Sequence, residues 1–66
     1  MANNNKLAAV MIKDFNYEYY APCTIPAGRR LRIGSFGRLI PEGLVFNVGH
    51  GANEVIPRDY FIIEPW

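Results

Sequence analysis

The sequence predicts an all-β domain: a small five-stranded, partly open barrel with a 3₁₀ turn before its last strand. Three observations predict it. Short apolar runs recur along the chain, each closed by glycine or proline, the punctuation of sheet proteins. Arg29-Arg30-Leu31-Arg32-Ile33 alternates, with Leu31 and Ile33 on one face and Arg30 and Arg32 on the other, as in a sheet wet on one side. Pro57-Arg58-Asp59-Tyr60 precedes Phe61-Ile62-Ile63, so a single 3₁₀ turn would deliver a closing strand. At 66 residues the chain is one domain. It would bury only about 60% of its unfolded surface, so its core must be compact.

Residues 1–6 are polar, with three consecutive asparagines and no apolar anchor, and are expected to be a disordered N-terminus. Residues 7–66 form the expected barrel. Leu7–Ile12 is too short for an independent helix and runs straight into Lys13-Asp14-Phe15-Asn16, so a first strand is favoured. In Tyr17-Glu18-Tyr19-Tyr20 the β-prone tyrosines alternate, placing Tyr17 and Tyr19 on one face and Glu18 and Tyr20 on the other. Pro22 and Pro26 oppose a helix, and Pro26-Ala27-Gly28 reads as a turn. Residues 13–28 are therefore expected to form a long, partly extended, hairpin-like loop.

The Arg29–Ile33 strand is broken by Gly34-Ser35-Phe36-Gly37, and Arg38-Leu39-Ile40 resumes pairing before Pro41-Glu42-Gly43 turns the chain. Leu44–Val48 is the next strand, with Leu44, Phe46 and Val48 on one side. Gly49-His50-Gly51-Ala52-Asn53 is a flexible turn, Glu54-Val55-Ile56 leads into the 3₁₀ turn, and Phe61–Ile63 closes the sheet.

The order of these pieces resembles a Src-homology-3 domain. Met11-Ile12-Lys13-Asp14-Phe15 looks like the Ala-Leu-Tyr-Asp-Tyr-type run that opens the family's long first loop. Pro57-Arg58-Asp59-Tyr60 looks like its Pro-x-x-Tyr turn, and Ala27–Ile33 is similar to its glycine-led second strand. The resemblance spans most of residues 9–64 and implies the barrel. It does not imply polyproline recognition. The tryptophan of the family's peptide groove has no counterpart, since the only tryptophan is Trp66. Lys13 replaces the first groove tyrosine, and no acidic residue lies between Glu18 and Glu42. Fold resemblance by itself carries no function.

Composition narrows the function classes. The lone Cys23 makes no intramolecular disulfide and fits a reducing compartment. Leu7–Ile12, the longest early apolar run, is far short of the roughly 20 residues that span a bilayer, and no signal pattern is present. A cytoplasmic protein with no membrane association is expected. The net charge of +1 does not by itself imply a polyanionic partner, although residues 1–40 carry +4 and residues 41–66 carry −3.

No enzymatic activity is expected. His50 between two glycines reads as a turn residue, Cys23 has no basic neighbour to activate it, and Ser35 and Thr24 lie in no nucleophile motif. Glu42, Glu54, Asp59 and Glu64 fall near turns, where solvated charges belong. One Cys and one His do not make the four ligands of a structural zinc, and Gly34–Gly37 leads into no helix that would hold a phosphate. No metal or cofactor is expected.

Two features remain. Phe46, Phe61 and Phe15 are assigned to the core. The tyrosines suit an interface, because each buries a ring while keeping a hydroxyl wet. On the resemblance, Tyr17 or Tyr19 would approach Pro57 and Tyr60. The second feature is the arginine set, with Arg29 and Arg38 at the turns flanking Arg30 and Arg32. It would suit phosphates with tyrosines stacking on bases, an acidic protein surface, or solvent alone.

The expected function is a small protein-binding module, of a size that suits a phage or mobile-element protein modulating a host protein. Its contact surface would be Tyr17, Tyr19, Pro57 and Tyr60, flanked by Arg30 and Arg32. The alternatives are a nucleic-acid-binding barrel using Arg29, Arg30, Arg32 and Arg38, and a structural homo-oligomer sealed by Trp66.

Overall fold

The computed structural model describes residues 6–66 and is all-β apart from one turn. Its strands are β1 (Leu7–Met11), β2 (Phe15–Tyr19), β3 (Ala21–Ile25), β4 (Arg30–Arg32), β5 (Gly37–Ile40), β6 (Gly43–Gly49), β7 (Ala52–Pro57) and β8 (Phe61–Pro65). A 3₁₀ turn at Arg58–Tyr60 joins β7 to β8, as expected from Pro57–Tyr60. Of the terminus expected to be disordered, residues 1–5 lie outside the described residues. The carbonyl of Lys6 accepts a 2.8 Å hydrogen bond from the Trp66 N–H.

Among the described residues the strands form three small sheets, ordered β4-β1-β8, β2-β3 and β5-β6-β7, with no closed barrel. β1 is central in the first sheet, and Ala9 pairs with both Leu31 and Ile63. Helix propensity in Leu-Ala-Ala-Val-Met is overridden because both edges of the segment find antiparallel partners. Residues 13–28, expected to be a long, partly extended, hairpin-like loop, contain a regular hairpin, with Phe15 opposite Ile25 and Tyr17 opposite Cys23. A turn at Pro26–Arg29 follows, with the Arg29 N–H bonded to the Pro26 carbonyl and Gly28 at φ 91°. Asp14 Oδ1 holds this turn by accepting from the Ala27 N–H at 2.8 Å.

The strand expected at 29–33 is shorter, Arg30–Arg32. Beyond it the chain folds back on itself, with the Phe36 N–H donating to the Arg32 carbonyl and the Gly34 N–H to the Gly37 carbonyl. This loop separates β4 from β5 and places them in different sheets. Asn53, expected in a flexible turn, is instead paired with Asn47, and only His50 and Gly51 lie between β6 and β7.

One core serves all three sheets. It contains Ala9, Met11, Ile25, Leu31, Leu44, Phe46, Ile56 and Phe61, with Phe15, Tyr17, Phe36 and Tyr60 packed against it. Phe46 and Phe61 are buried as expected, whereas Phe15 is only partly buried. Leu44 and Ile56 are register partners and both fully buried, so they mark the centre of the β6–β7 contribution. Deleting either side chain to alanine would cost about 2–5 kcal/mol, a large share of the stability of so small a domain.

Candidate binding surface

Alternation in β2 places Phe15, Tyr17 and Tyr19 on the face that packs on the body, and leaves Asn16 and Glu18 exposed. From there a line of rings crosses the molecule. The Tyr60 ring meets Phe15 edge-on at 5.6 Å, Phe15 stacks near Tyr17 at 6.0 Å, and Tyr17 meets the buried Phe46 edge-on at 5.4 Å. Each such pair adds about 0.5–1.5 kcal/mol beyond simple burial. Burial within this line pushes the Tyr17 phenol above its ordinary pKa of 10.0, and the neighbouring Cys23 and Glu54 push the same way. Lys13 covers Tyr60, with Nζ 4.5 Å from the ring centroid and 3.3 Å from Asp59.

Tyr17 and Tyr60 are thus joined through Phe15, while Tyr19 lies at the far end of the hairpin. Tyr19 rests against Gly49 of β6, where any added Cβ would overlap its hydroxyl. Only glycine fits, and φ of 120° gives a second reason for it. Pro57 closes β7 opposite Gly43.

Sequence reasoning missed the residue at the tip. Tyr19 pairs with Ala21, so Tyr20 alone makes the turn of the hairpin. It takes a left-handed φ of 64°, costly for a side-chain-bearing residue, and is 85% exposed. Its ring lies 4.6 Å from Tyr19 and 6.1 Å, edge-on, from His50. His50 is also left-handed, at φ 49°. Two strained turns, one from each hairpin, therefore set aromatic rings side by side at one end of the molecule. The sequence signal was present: an aromatic sits where two extended runs must reverse.

Arg30 and Arg32 lie elsewhere, on the side of the β4-β1-β8 sheet away from the core, with Ala8, Val10, Ile62 and Glu64. Arg30 Nη1 pairs with Glu64 at 3.1 Å, and its Nη2 donates to the carbonyls of Pro65 and Trp66. The Trp66 indole lies 5.6 Å from the Arg30 guanidinium and 5.5 Å from that of Arg32. Ala8, between Arg32 and Glu64 in the register, is fully buried although it is outside the core. Arg29 is exposed at the turn before β4, and Arg38 is exposed on β5. Of the six residues expected to share one contact surface, Tyr17 and Tyr60 are linked through Phe15, Tyr19 lies at the far end of the hairpin, and Arg30 and Arg32 lie on the β4-β1-β8 sheet.

Among the described residues, no helix is long and apolar enough to cross a membrane. No known family, curated protein or solved structure matches the chain.

Proposed function

We propose that the protein is a small, non-enzymatic protein-binding module that contacts its partner through the aromatic end formed by Tyr19, Tyr20 and His50. The observation that carries this reading is Tyr20, a large ring held in a strained backbone and left 85% exposed. Backbone strain of this kind costs about 1–3 kcal/mol and clusters at functional sites. Tyrosine is also among the residues that dominate interface energetics. Tyr17, Tyr60 and Phe15 then act as the seat of the hairpin, fixing the tip instead of meeting the partner.

A Src-homology-3-like arrangement is part of the same proposal. Its support is a single core shared by the β4-β1-β8 and β5-β6-β7 sheets, with β4 and β5 consecutive, and a 3₁₀ turn before the last strand. Nucleic-acid binding through the arginine strand is less favoured, because Arg30 and Arg32 are engaged by Glu64 and Trp66.

The test is affinity capture with wild type and Tyr20→Ala as baits, each checked for folding, with and without nuclease. A partner retained by wild type after nuclease and lost by Tyr20→Ala is the expected result. Equal retention by both baits, or loss of the partner on nuclease treatment, would overturn the proposal.

A further inference from the structure

A groove of about 250 Å³ lies beside the β5-β6-β7 sheet, lined by Phe36, Arg38, Val45, Phe46, Asn47 and Asn53, together with Gly34 and Gly37. It is separate from the aromatic end and from the Arg30–Trp66 contact. Strand register builds its polar side: Arg38 is opposite Val45, and Asn47 is opposite Asn53. Its aromatic wall is Phe36, stacked on Phe46 with centroids 4.7 Å apart.

The hydrogen bonds orient the two amides on this polar side. The Gly49 N–H donates to Asn47 Oδ1 at 2.8 Å, which fixes that amide with its nitrogen toward β7. Asn47 Nδ2 then donates to Asn53 Oδ1 at 3.4 Å, which takes one of the two acceptor sites of that oxygen. Both hydrogens of Asn53 Nδ2 and the second hydrogen of Asn47 Nδ2 remain as donors, and each side-chain oxygen keeps one further acceptor site. Arg38 adds a guanidinium that makes no ion pair or hydrogen bond among the described residues. No carboxylate lines the groove. Glu54, the nearest acid in sequence, is opposite the buried Phe46 and acts on Tyr17. Free amide donors and the unpaired Arg38 guanidinium beside an aromatic wall form a site for an anion that carries a flat apolar body.

We infer that this groove binds a small aromatic carboxylate, with the ring against Phe36 and the carboxylate on Arg38 and the Asn47–Asn53 amides. The volume limits the occupant. It falls below the roughly 300–1,000 Å³ of sites for drug-sized ligands, so one ring with its acid is the fitting size. The same group occurs in a free aromatic acid and at a peptide chain ending in phenylalanine.

The test is an amide-resolved NMR titration of the full chain with benzoate, benzamide, acetate and N-acetylglycyl-phenylalanine. Benzoate is expected to shift the Gly37, Arg38, Asn47 and Asn53 signals and to bind at least about tenfold more tightly than benzamide or acetate, the scale of one charge-assisted contact. Arg38→Gln should weaken benzoate by about the same factor. Asn53→Asp, which puts a like charge where donors stood, should remove benzoate binding while leaving the fold's other signals in place. Tighter binding of N-acetylglycyl-phenylalanine than of benzoate assigns the site to a chain terminus, and the reverse assigns it to a free acid. Benzamide binding as well as benzoate, or benzoate shifts confined to other residues, or none at millimolar benzoate, would overturn the inference.

Discussion

Arg30 holds Trp66 in two ways at once, with its guanidinium 5.6 Å from the indole and its Nη2 donating to the Trp66 carbonyl at 3.2 Å. The contact ties the edge strand β4 to the end of β8 across the central β1. Arg30→Ala should therefore cost about 1–2 kcal/mol, combining a cation–π contact, an exposed ion pair and two charge-assisted bonds. Arg30→Lys should recover only part, because a point charge has no planar fork to reach Glu64 and both carbonyls together. Denaturant unfolding of the two variants checks this. Equal stability of Arg30→Ala and wild type would show the contact to be inert.

Tyr19 and Gly49 give a steric prediction. Gly49→Ala introduces a methyl into the Tyr19 ring and also meets the left-handed backbone penalty, about 1–2 kcal/mol by itself. Tyr19→Phe in the same chain removes the overlapping hydroxyl and should restore part of the loss, but not the backbone share. A thermal-unfolding double-mutant cycle measures this coupling.

At Tyr20 the prediction is a difference between two replacements. Both Tyr20→Ala and Tyr20→Gly remove the ring contacts with Tyr19 and His50, but only glycine relieves the left-handed strain. Tyr20→Gly should thus be more stable than Tyr20→Ala by about 1 kcal/mol. The same free energies of unfolding in both would mean that Tyr20 is unstrained in solution.

Tyr17 supplies a pH dependence. The unfolded phenol ionises near 10.0, while the folded one keeps its proton to higher pH. Above pH 10.0 the native state binds more protons than the unfolded state, so stability falls as pH rises, until the folded phenol also ionises. Below that range Tyr17 contributes no pH dependence. Tyr17→Phe should flatten the alkaline limb of a stability–pH curve. An unchanged limb would assign the loss to other groups.

Much of the strand pattern was legible because side-chain alternation is a local property. Arg30-Leu31-Arg32 marked β4, Leu44 and Phe46 marked the inward face of β6, and Pro57–Tyr60 marked the 3₁₀ turn. The binding surface was not legible in the same way. Trp66 reaches Arg30 only because β1 pairs with both β4 and β8, and Phe36, Arg38 and Asn53 line one groove only through the β5-β6-β7 register. In residues 13–28 the hairpin-like character was legible but its regular pairing was not, since Pro22 pairs with Glu18 inside an edge strand, where a missing N–H is tolerated.

The central position of β1 also governs when the protein can fold. Leu7 pairs with Pro65, so the first strand waits for the last before its sheet has both edges. A nascent chain can close the β2-β3 hairpin and the β5-β6-β7 sheet early, but β1 holds only β4 until β8 has left the ribosome. Pairing at such long sequence separation slows folding. In the interval Ala9 and Met11 lack Phe61, so the half-built first sheet is the stage at which this chain is most exposed to aggregation.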